Sequence, residues 1–213
     1  MNCRLCSCEH SVALDRDKKR SYYFCPECHL IFVPESEFLS YEKEKERYNF
    51  HENTTINEGY VGFLKELIPV IRNVGLKDPE ILDFGSGKNA VLSSLLQLSG
   101  LKCESYDPLY DIHPGDWEKK FDIVVLCEVI EHIRDLKTEL KLIKRILSNR
   151  GSVIIRTKLY PPVDQFLKWW YIQDPTHINF FSRKTVCKAA EIIQGIYEET
   201  KLPDVFIVRV QSL

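Results

Sequence analysis

Four cysteines near the start of the chain have the spacing of a metal site. They form two CxxC pairs with 18 residues between them: Cys3 with Cys6, and Cys25 with Cys28. Thiolates are soft, charged ligands, and a two-residue gap lets both sulfurs of a pair face one ion, so we expect a structural Zn²⁺ in a ribbon over residues 1–34. A redox dithiol and unrelated free thiols are the alternatives. Three further residues are near enough to replace one ligand: Cys8, His10 and His29.

The segment between the two pairs contains the basic stretch DRDKKR, residues 15–20. Its cations could offset the negative charge of four thiolates on one zinc ion, or they could contact a phosphate backbone. Two aspartates interrupt the run, which favours a solvated loop over either role.

A glycine turn in ILDFGSGKNA, residues 81–90, is the second candidate site. An apolar strand runs into Gly85 and Gly87 and an apolar helical pattern follows, so we expect a ligand against bare backbone. The pattern GxxxxGK[ST] of a triphosphate loop is incomplete, whereas the dinucleotide pattern GxGxxG tolerates Ala90 and stays open. Two acids accompany the turn, one before it and one at the end of the next strand: Asp83 and Asp107.

These candidate residues need a scaffold, and the chain after residue 76 alternates strands with helices. Near-continuous apolar strands between amphipathic helices indicate a doubly wound α/β domain over residues 76–213, with a parallel sheet that helices cover on both faces. A long loop, residues 158–181, precedes the last helix. A final hairpin is expected to add an antiparallel last strand.

A charged connector, residues 35–75, joins the ribbon to this domain. Its EKEKER stretch predicts a solvated helix face, and GYVGFLKELIPVIRNV predicts one helix that packs on the domain. Polar and aromatic residues before the second helix could form a lid over a cleft or only cap the helix; they include Tyr48, His51 and Asn53.

The sequence DFGSGKN resembles the DxGxGxG motif of class I S-adenosylmethionine-dependent methyltransferases, and GDWEKKFDIVVLCEVIEH resembles that family's adenine motif and fourth strand. The resemblance covers residues 79–213 and implies a Rossmann-like methyltransferase sheet. In that family the glycine turn meets the methionine part of the cofactor, and an acid binds both ribose hydroxyls. The resemblance therefore implies nine cofactor residues: Asp83, Gly85, Ser86, Gly87, Asp107, Pro108, Asp116, Trp117 and Cys127.

Two departures from the family pattern have structural consequences. Asn89 replaces the third glycine, which we expect the backbone to tolerate because Asn enters left-handed conformations readily. Residues 109–120 leave little room for a regular third strand and helix, so the adenine pocket should be unusually open.

Methyl transfer from a sulfonium is a direct displacement, so the protein must align the acceptor and remove any proton that it loses. Candidate bases follow strands at the carboxyl edge of the sheet: Glu128 and His132 after the fourth strand, and His177 after the fifth. His177 is the first choice because imidazole titrates near neutral pH, although it could only shape its loop. Asp174 and Phe180 of that loop are expected to contact the acceptor.

A metal ion is another way to activate an acceptor. EVIEH with a later histidine resembles the set with which small-RNA 3′-terminal 2′-O-methyltransferases hold Mg²⁺ at the ribose. Four residues would form such a site: Glu128, Glu131, His132 and His177.

Composition narrows the function classes. With 213 residues, 44% of them hydrophobic, the chain should form one main core. No run approaches the roughly 18 apolar residues of a membrane span, and the N-terminus lacks the apolar core of a secretory signal, so we expect a cytoplasmic protein without a membrane partner. The net charge of −2 gives no overall electrostatic case for nucleic acid.

The leading hypothesis is a zinc-ribbon-bearing, S-adenosylmethionine-dependent methyltransferase that acts on a small molecule. The first alternative is an RNA methyltransferase that docks its substrate through the ribbon, because a ribosomal-RNA methyltransferase family also joins an N-terminal zinc module to this fold. The second alternative is a non-catalytic module that binds a protein partner and keeps a residual cofactor site.

Overall fold

The structure, a computed structural model, describes residues 1–16, 19–49, 55–111 and 117–211, without the side chains of residues 15 and 16. Its strands are β1 (Val12–Arg16), β2 (Ser21–Phe24), β3 (Ile31–Phe32), β4 (Glu80–Phe84), β5 (Lys102–Tyr106), β6 (Phe121–Cys127), β7 (Leu147–Arg156), β8 (Asn179–Phe180), β9 (Gly195–Glu199) and β10 (Val205–Val210). Its α-helices are α1 (Tyr41–Asn49), α2 (Glu58–Lys65), α3 (Leu67–Arg72), α4 (Val91–Leu98), α5 (Leu136–Ile146) and α6 (Arg183–Ile193).

The larger sheet, in the order β5-β4-β6-β7-β10-β9, confirms the doubly wound α/β fold. The first four strands run parallel, while β10 pairs antiparallel with both β7 and β9, so the predicted hairpin closes one edge. Ile123 and Val125 of β6 pack with α2, α3 and α4, whereas Val124 and Leu126 pack with α5 and α6. Helices cover both faces, which is why these strands read as unbroken apolar runs.

Within the described residues, the opposite edge of this sheet lacks a regular third strand and helix, as the sequence predicts. Between Tyr106 and Phe121, the described part of the chain contains neither a strand nor an α-helix. β5 is therefore the edge strand of the sheet on that side.

The N-terminal ribbon shares its sheet with the larger domain. This second sheet has the order β1-β2-β3-β8, and β8 belongs to the 158–181 segment that the sequence predicts as a loop. Ile31 lies opposite Phe180, and Phe32 lies opposite Asn179. Sequence patterns miss this pairing because a two-residue strand is too short to show periodicity.

Over residues 35–49 and 55–75, the connector forms three α-helices instead of the predicted two. α1 covers the charged stretch, but the expected single helix breaks at Glu66 between α2 and α3. Pro69 explains the break, since it lacks the N–H that would bond the Lys65 carbonyl in a continuous helix. Leu64 and Ile71 are buried in one core with α4, as predicted. Among the helices described, none has the length and apolar character that a membrane crossing requires.

Candidate functional site

The two CxxC pairs form turns with the same hydrogen bonds. In each turn the first cysteine's amide donates to the carbonyl five residues later, at 2.8 and 2.9 Å, and its carbonyl accepts from the amide four residues later. The residue after each pair, Ser7 or His29, has a positive φ. These turns bring four sulfurs within 4.8 Å of one another: Cys3, Cys6, Cys25 and Cys28.

This sulfur cluster fits a tetrahedral zinc ion. The nearest sulfurs, Cys3 to Cys28 and Cys6 to Cys25, are 3.5 Å apart, so none of the four forms a disulfide. Four converging thiols with two small turns are the donor set of a structural zinc site. The group that the described residues bring together does not include the three substitute ligands considered from the sequence: Cys8, His10 and His29.

A cleft of about 1300 Å³ opens at the carboxyl ends of β4, β5 and β6. Its lining comes from the glycine turn, from the segment after β6 and from residues 170–177, with α1 and α2 on the other side. Ligand pockets usually measure about 300–1,000 Å³, so this cleft has room for more than one small molecule.

The glycine turn is locked to the end of β5. Gly85 and Gly87 have φ of +79° and +66°, and a Cβ on Gly85 would lie 2.6 Å from both methyl groups of Val129. Only glycine meets both demands at position 85. The Gly85 amide donates to the Tyr106 carbonyl at 2.7 Å, and the Gly87 amide donates to Asp107 Oδ2 at 2.8 Å.

The third left-handed residue of the turn is Ala90, with φ +43°, and not Asn89. Ala90 is the N-cap of α4, so the chain reverses one residue later than the family motif suggests. The expectation that Asn89 takes this conformation is therefore wrong. A left-handed alanine costs on the order of 1 kcal/mol, which the packing of α4 must offset.

The two predicted cofactor acids lie in different environments. Asp83 is buried behind the turn, where its Oδ2 accepts from the Ser93 amide at 3.1 Å and burial raises its pKa to about 7. Asp107 lines the cleft and accepts from the Leu109 amide at 2.9 Å as well as from Gly87. Each carboxylate oxygen has two acceptor positions, so Asp107 can still bind a ligand hydroxyl, whereas Asp83 acts on the turn through α4.

The remaining predicted cofactor residues divide into three groups. Those that line the cleft are Ser86, Pro108 and Cys127. Asp116 lies outside the described residues. Trp117 packs edge-on against Tyr106 and Phe121 in the core beside the cleft, with ring centroids 5.0 and 6.1 Å away. Its Nε1 is buried and lacks a partner among the described residues.

Glu128 combines a strained backbone with a perturbed carboxyl group. It follows β6 directly and has φ +53°, a conformation that costs a non-glycine residue of order 1–3 kcal/mol. Its side chain lines the cleft, and its buried Oε1 has no partner in the part of the chain described. Burial, together with the charge of Glu131, raises the pKa of Glu128 to about 8. Glu128 can therefore exchange a proton near neutral pH.

Glu131 lies behind Glu128 and is fully buried. Its carboxylate accepts from the Thr157 hydroxyl at 3.0 Å and from the Tyr171 hydroxyl at 2.5 Å. Burial raises the pKa of Glu131 to about 7, and these two hydrogen bonds oppose that rise. The result is a pair of neighbouring carboxyl groups with raised pKa values.

The rings of His132 and His177 meet beside these carboxyl groups, with centroids 4.7 Å apart. Nδ1 of His132 lies 3.1 Å from the Thr176 carbonyl, and Nδ1 of His177 lies 2.8 Å from the Tyr171 carbonyl. Because a carbonyl only accepts, each Nδ1 carries the proton and each Nε2 offers a lone pair. Burial lowers both pKa values, that of His177 to about 3. His177 is thus a much weaker base than the neutral-pH imidazole expected from the sequence.

One carboxylate oxygen and two imidazole nitrogens converge within 4.8 Å, from Glu131, His132 and His177. Glu128, the fourth residue of the predicted Mg²⁺ set, is not in this group. Two imidazoles with one carboxylate suit a transition metal better than Mg²⁺, which prefers oxygen ligands. The Nδ1–H···O=C bonds that hold both rings are the arrangement seen around ligating histidines.

Tyr48, one of the predicted lid residues, and Asp174, predicted to contact the acceptor, both line the cleft. The Tyr48 ring packs edge-on against His132, with centroids 5.4 Å apart. Asp174 pairs with Arg47 at 3.2 Å. Burial would raise the pKa of Asp174, but hydrogen bonds from Thr176 and the nearby charges of His177 and Arg47 together lower that pKa to about 2. Asp174 is therefore a permanent anion at the cleft.

Phe180 lies away from the cleft, so the prediction that it contacts the acceptor is wrong. Because Phe180 lies in β8, its ring points into a buried aromatic cluster. There it packs edge-on against Tyr22 and Phe166, with ring centroids 5.9 and 5.1 Å away. The other two predicted lid residues, His51 and Asn53, lie outside the described residues.

Sequence reasoning missed most of the aromatic residues of the cleft, among them Tyr60, Phe63, Trp170 and Tyr171. Trp170 is 66% exposed, which is unusual for tryptophan and places an apolar face at the cleft rim. The run WWY at residues 169–171 was the available signal, since an aromatic run in a loop often marks a binding surface.

A family profile described as "Methyltransferase domain" matches residues 56–192, more than half of the chain. Among curated proteins, no sequence matches. The fold is similar to that of the PH0226 protein from Pyrococcus horikoshii, with TM-score 0.56 and 15% identity over 79% of this chain and 99% of that one.

Two solved methyltransferases also share the fold. Magnesium protoporphyrin IX methyltransferase (ChlM) from Synechocystis PCC 6803, with bound SAH, gives TM-score 0.54 and 13% identity over 83% of this chain and 97% of that one. An O-methyltransferase family protein from Burkholderia thailandensis gives TM-score 0.51 and 11% identity over 79% of this chain and 63% of that one. The chain thus spans less than two thirds of the Burkholderia protein. Together with the profile match, this fold means that the chain belongs to the methyltransferase-domain family.

Proposed function

We propose that this protein is an S-adenosylmethionine-dependent methyltransferase that acts on a small molecule and carries a structural zinc ion. One observation carries the proposal: a glycine turn locked to Asp107 and a carboxyl group that titrates near neutral pH, Glu128, line the same cleft. The first can hold a cofactor, and the second can take a proton from an acceptor.

The cofactor would supply a methyl group on a positively charged sulfur. The absence of side chains at Gly85 and Gly87 lets the backbone approach its methionine part. Asp107 would accept hydrogen bonds from its ribose hydroxyls, and Pro108, which also lines the cleft, would lie near the ribose. The adenine would lie at the edge of the sheet, next to β5. A solved structural neighbour is described with bound SAH, which supports this assignment.

Glu128 is the proposed proton acceptor. A general base works best when its pKa is near the working pH, and the pKa of Glu128 is about 8. His177, with a pKa of about 3, is better suited to accept a hydrogen bond through Nε2 and so to orient the acceptor. His132 offers a second Nε2 of the same kind. This order of roles reverses the preference for His177 that the sequence suggested.

The lining of the cleft favours a small acceptor over RNA. Two arginines on the acceptor side are already paired: Arg47 with Asp174 at 3.2 Å, and Arg134 with Glu44 at 2.6 Å. Because these guanidinium charges are balanced, they offer little attraction to a phosphate backbone. The aromatic residues of the cleft suit a compact, largely apolar molecule.

A metal-assisted form of this reaction is the second candidate. The convergence of Glu131, His132 and His177 favours it, and these residues would hold a divalent transition metal. Elemental analysis of the purified protein tests it. One metal beyond the ribbon's zinc, lost in both His132→Ala and His177→Ala but kept in His10→Ala, would support this form; a single metal in every variant would exclude it.

Calorimetric titration with S-adenosylmethionine tests the cofactor half of the proposal. Asp107→Ala should weaken binding about tenfold or more, because a buried acceptor of hydroxyl groups is removed. Asp122→Ala is the matched control, since that carboxylate accepts from the Glu80 amide at 3.0 Å at the opposite end of the strands. Equal affinity in all three proteins would refute the cofactor site.

Methyl-labelled S-adenosylmethionine and a fractionated cell extract test the acceptor half. Label in the small-molecule fraction supports the proposal, and label in RNA or protein replaces it with a macromolecular acceptor. If the cofactor binds and no fraction gains label, the protein is a binding module that retains a cofactor site.

A further inference from the structure

The N-terminal ribbon reaches the acceptor side of the cleft through Arg20. This residue precedes β2 and is only 7% exposed. Its Nη1 donates to the carbonyls of Pro175 at 3.1 Å and His177 at 2.8 Å. Its Nη2 donates to the carbonyls of Ile172 at 2.5 Å and Asp174 at 3.1 Å. One guanidinium group therefore gathers four carbonyls of one short segment.

Arginine is the side chain that can do this. A guanidinium group presents five N–H donors in one rigid plane, whereas lysine presents three from a single nitrogen. Ile172 lies near the end of a short 3₁₀ helix, Trp170–Gln173, and residues 174–177 belong to neither a helix nor a strand, so regular secondary structure leaves these carbonyls available to a side-chain donor. Without Arg20 these acceptors would lose a charged donor, which is costly for the two whose hydrogen bonds are buried, the carbonyls of His177 and Ile172.

The segment that Arg20 holds positions the groups that face the acceptor. His177 and Asp174 belong to it and line the cleft. Tyr171 precedes it, and the Tyr171 carbonyl fixes Nδ1 of His177. The Tyr171 hydroxyl contacts both Glu128 and Glu131. A shift of the segment would therefore change the geometry of the proposed proton acceptor and of its neighbours.

Backbone hydrogen bonds hold the end of the same segment between the ribbon and the larger domain. On the ribbon side, the Val33 amide donates to the Ile178 carbonyl at 3.0 Å. On the other side, the Glu131 carbonyl accepts from the amides of Ile178 at 2.9 Å and Asn179 at 3.0 Å. The ribbon thus supports one face of the acceptor segment, while Glu131 supports the other.

We infer that the ribbon supports the acceptor site from outside the cleft and that Arg20 is a positioning residue for residues 171–177. The inference rests on the proposed function for the meaning of that site, though not for the contacts themselves. It replaces the expectation that DRDKKR is a solvated loop at this residue, because Arg20 is buried. The cofactor side is held by bonds within the larger sheet, so disturbing the ribbon should spare it.

Hydrogen exchange on the full chain tests this inference without an acceptor. We expect amide exchange in residues 171–180 to accelerate about tenfold in Arg20→Ala and in Arg20→Lys, because lysine cannot reach four carbonyls. Arg209→Ala is the matched control: it removes a guanidinium paired with Glu198 at 2.8 Å on the β9–β10 hairpin. That variant should leave exchange in residues 171–180 unchanged.

A functional measurement separates positioning from general destabilisation. Arg20→Lys should bind S-adenosylmethionine within about twofold of the wild-type protein, yet transfer label at least about tenfold more slowly to the fraction that the wild-type protein labels. Unchanged exchange in residues 171–180, or full transfer by a folded Arg20→Lys, overturns the inference. If neither Arg20 variant folds, addition of a zinc chelator to the wild-type protein provides the same readout.

Chelation should loosen residues 171–180 while β4, β5 and β6 stay protected and the cofactor still binds. Faster exchange spread evenly over those strands would overturn the inference, because the ribbon would then support the whole fold. A wild-type protein that binds no S-adenosylmethionine would refute the proposed function alone, since the exchange experiment needs no ligand.

Discussion

The Tyr171 hydroxyl donates a 2.5 Å hydrogen bond to Glu131 Oε1, and the hydroxyl oxygen of Tyr171 also lies 3.2 Å from Glu128 Oε2. One phenol therefore links two carboxyl groups that burial keeps from ionising together. Burial raises the pKa of both groups, but Glu131 accepts two hydrogen bonds, which favour its ionised form, whereas Glu128 Oε1 has no partner among the described residues. The retained proton therefore belongs on Glu128. The group that faces the cleft is thus the one that can gain and lose a proton near neutral pH.

We predict that Glu128→Gln lowers the rate of methyl transfer by about 10²–10⁴-fold, because a general base contributes that much. The base is active when ionised, so the wild-type rate should rise with pH until about pH 8 and then level off. The variant should lack this rise and keep its affinity for S-adenosylmethionine. Glu80→Gln, at the other end of β4, is the control. A Glu128→Gln protein with the wild-type pH profile would remove Glu128 from the mechanism.

A second prediction concerns the stability of Tyr171→Phe. The folded-state pKa of Glu131, about 7, is above its ordinary value of 4.5, so folding stability falls as pH rises between these values. Removing the phenol takes a donor from the ionised form, which raises that pKa further. The variant should therefore lose about 1–3 kcal/mol at pH 8 and clearly less at pH 5.

Urea denaturation at the two pH values measures this loss. Tyr160→Phe is the matched control. The Tyr160 hydroxyl donates to the uncharged backbone carbonyl of His29 at 2.8 Å, so the stability lost on removing this hydroxyl should not depend on pH. Equal losses at pH 5 and pH 8 in Tyr171→Phe would show that the phenol does not support an ionised Glu131.

The parts of the site that were predictable from the sequence depend on local spacing. The CxxC pairs are the four cysteines that converge, because a turn of fixed geometry needs only neighbouring residues. The glycine turn lies at a strand end because the strand and helix on either side have strong apolar patterns. The need for glycine at position 85 was predictable for the same reason. The side chain that leaves no room for a Cβ there, that of Val129, was not predictable.

The parts that were not predictable depend on contacts between distant segments. The contacts of Arg20 join residues more than 150 positions apart, and no periodicity in either segment predicts these contacts. The order of preference between His177 and Glu128 failed for a related reason. Reference pKa values favour the imidazole as the base. In the fold, burial lowers the pKa of His177 to about 3 and raises the pKa of Glu128 to about 8. Burial is a property of the assembled fold.

A third prediction is that Gly85→Ala abolishes binding of S-adenosylmethionine. The new Cβ would lie 2.6 Å from two methyl groups of Val129, and φ is +79°, so the turn must move. Gly62→Ala is the control: position 62 lies in α2 with open space around it, and alanine there should stabilise the fold by up to about 1 kcal/mol. Calorimetric titration and thermal unfolding of both proteins check this. Wild-type affinity in Gly85→Ala would place the cofactor elsewhere.

The last prediction concerns the zinc ion. We expect one zinc per chain and its loss in Cys28→Ser, because the hydroxyl of serine is a poor substitute for a thiolate ligand. The Cys28 carbonyl also accepts from the Thr185 hydroxyl at 2.9 Å, so disorder in this turn reaches α6. The variant should lose about 3 kcal/mol or more of stability. Cys187→Ser, in α6 and outside the sulfur cluster, should keep both zinc and stability. Elemental analysis with urea denaturation decides the matter, and a stable, zinc-free wild-type protein would show that the four thiols serve another purpose.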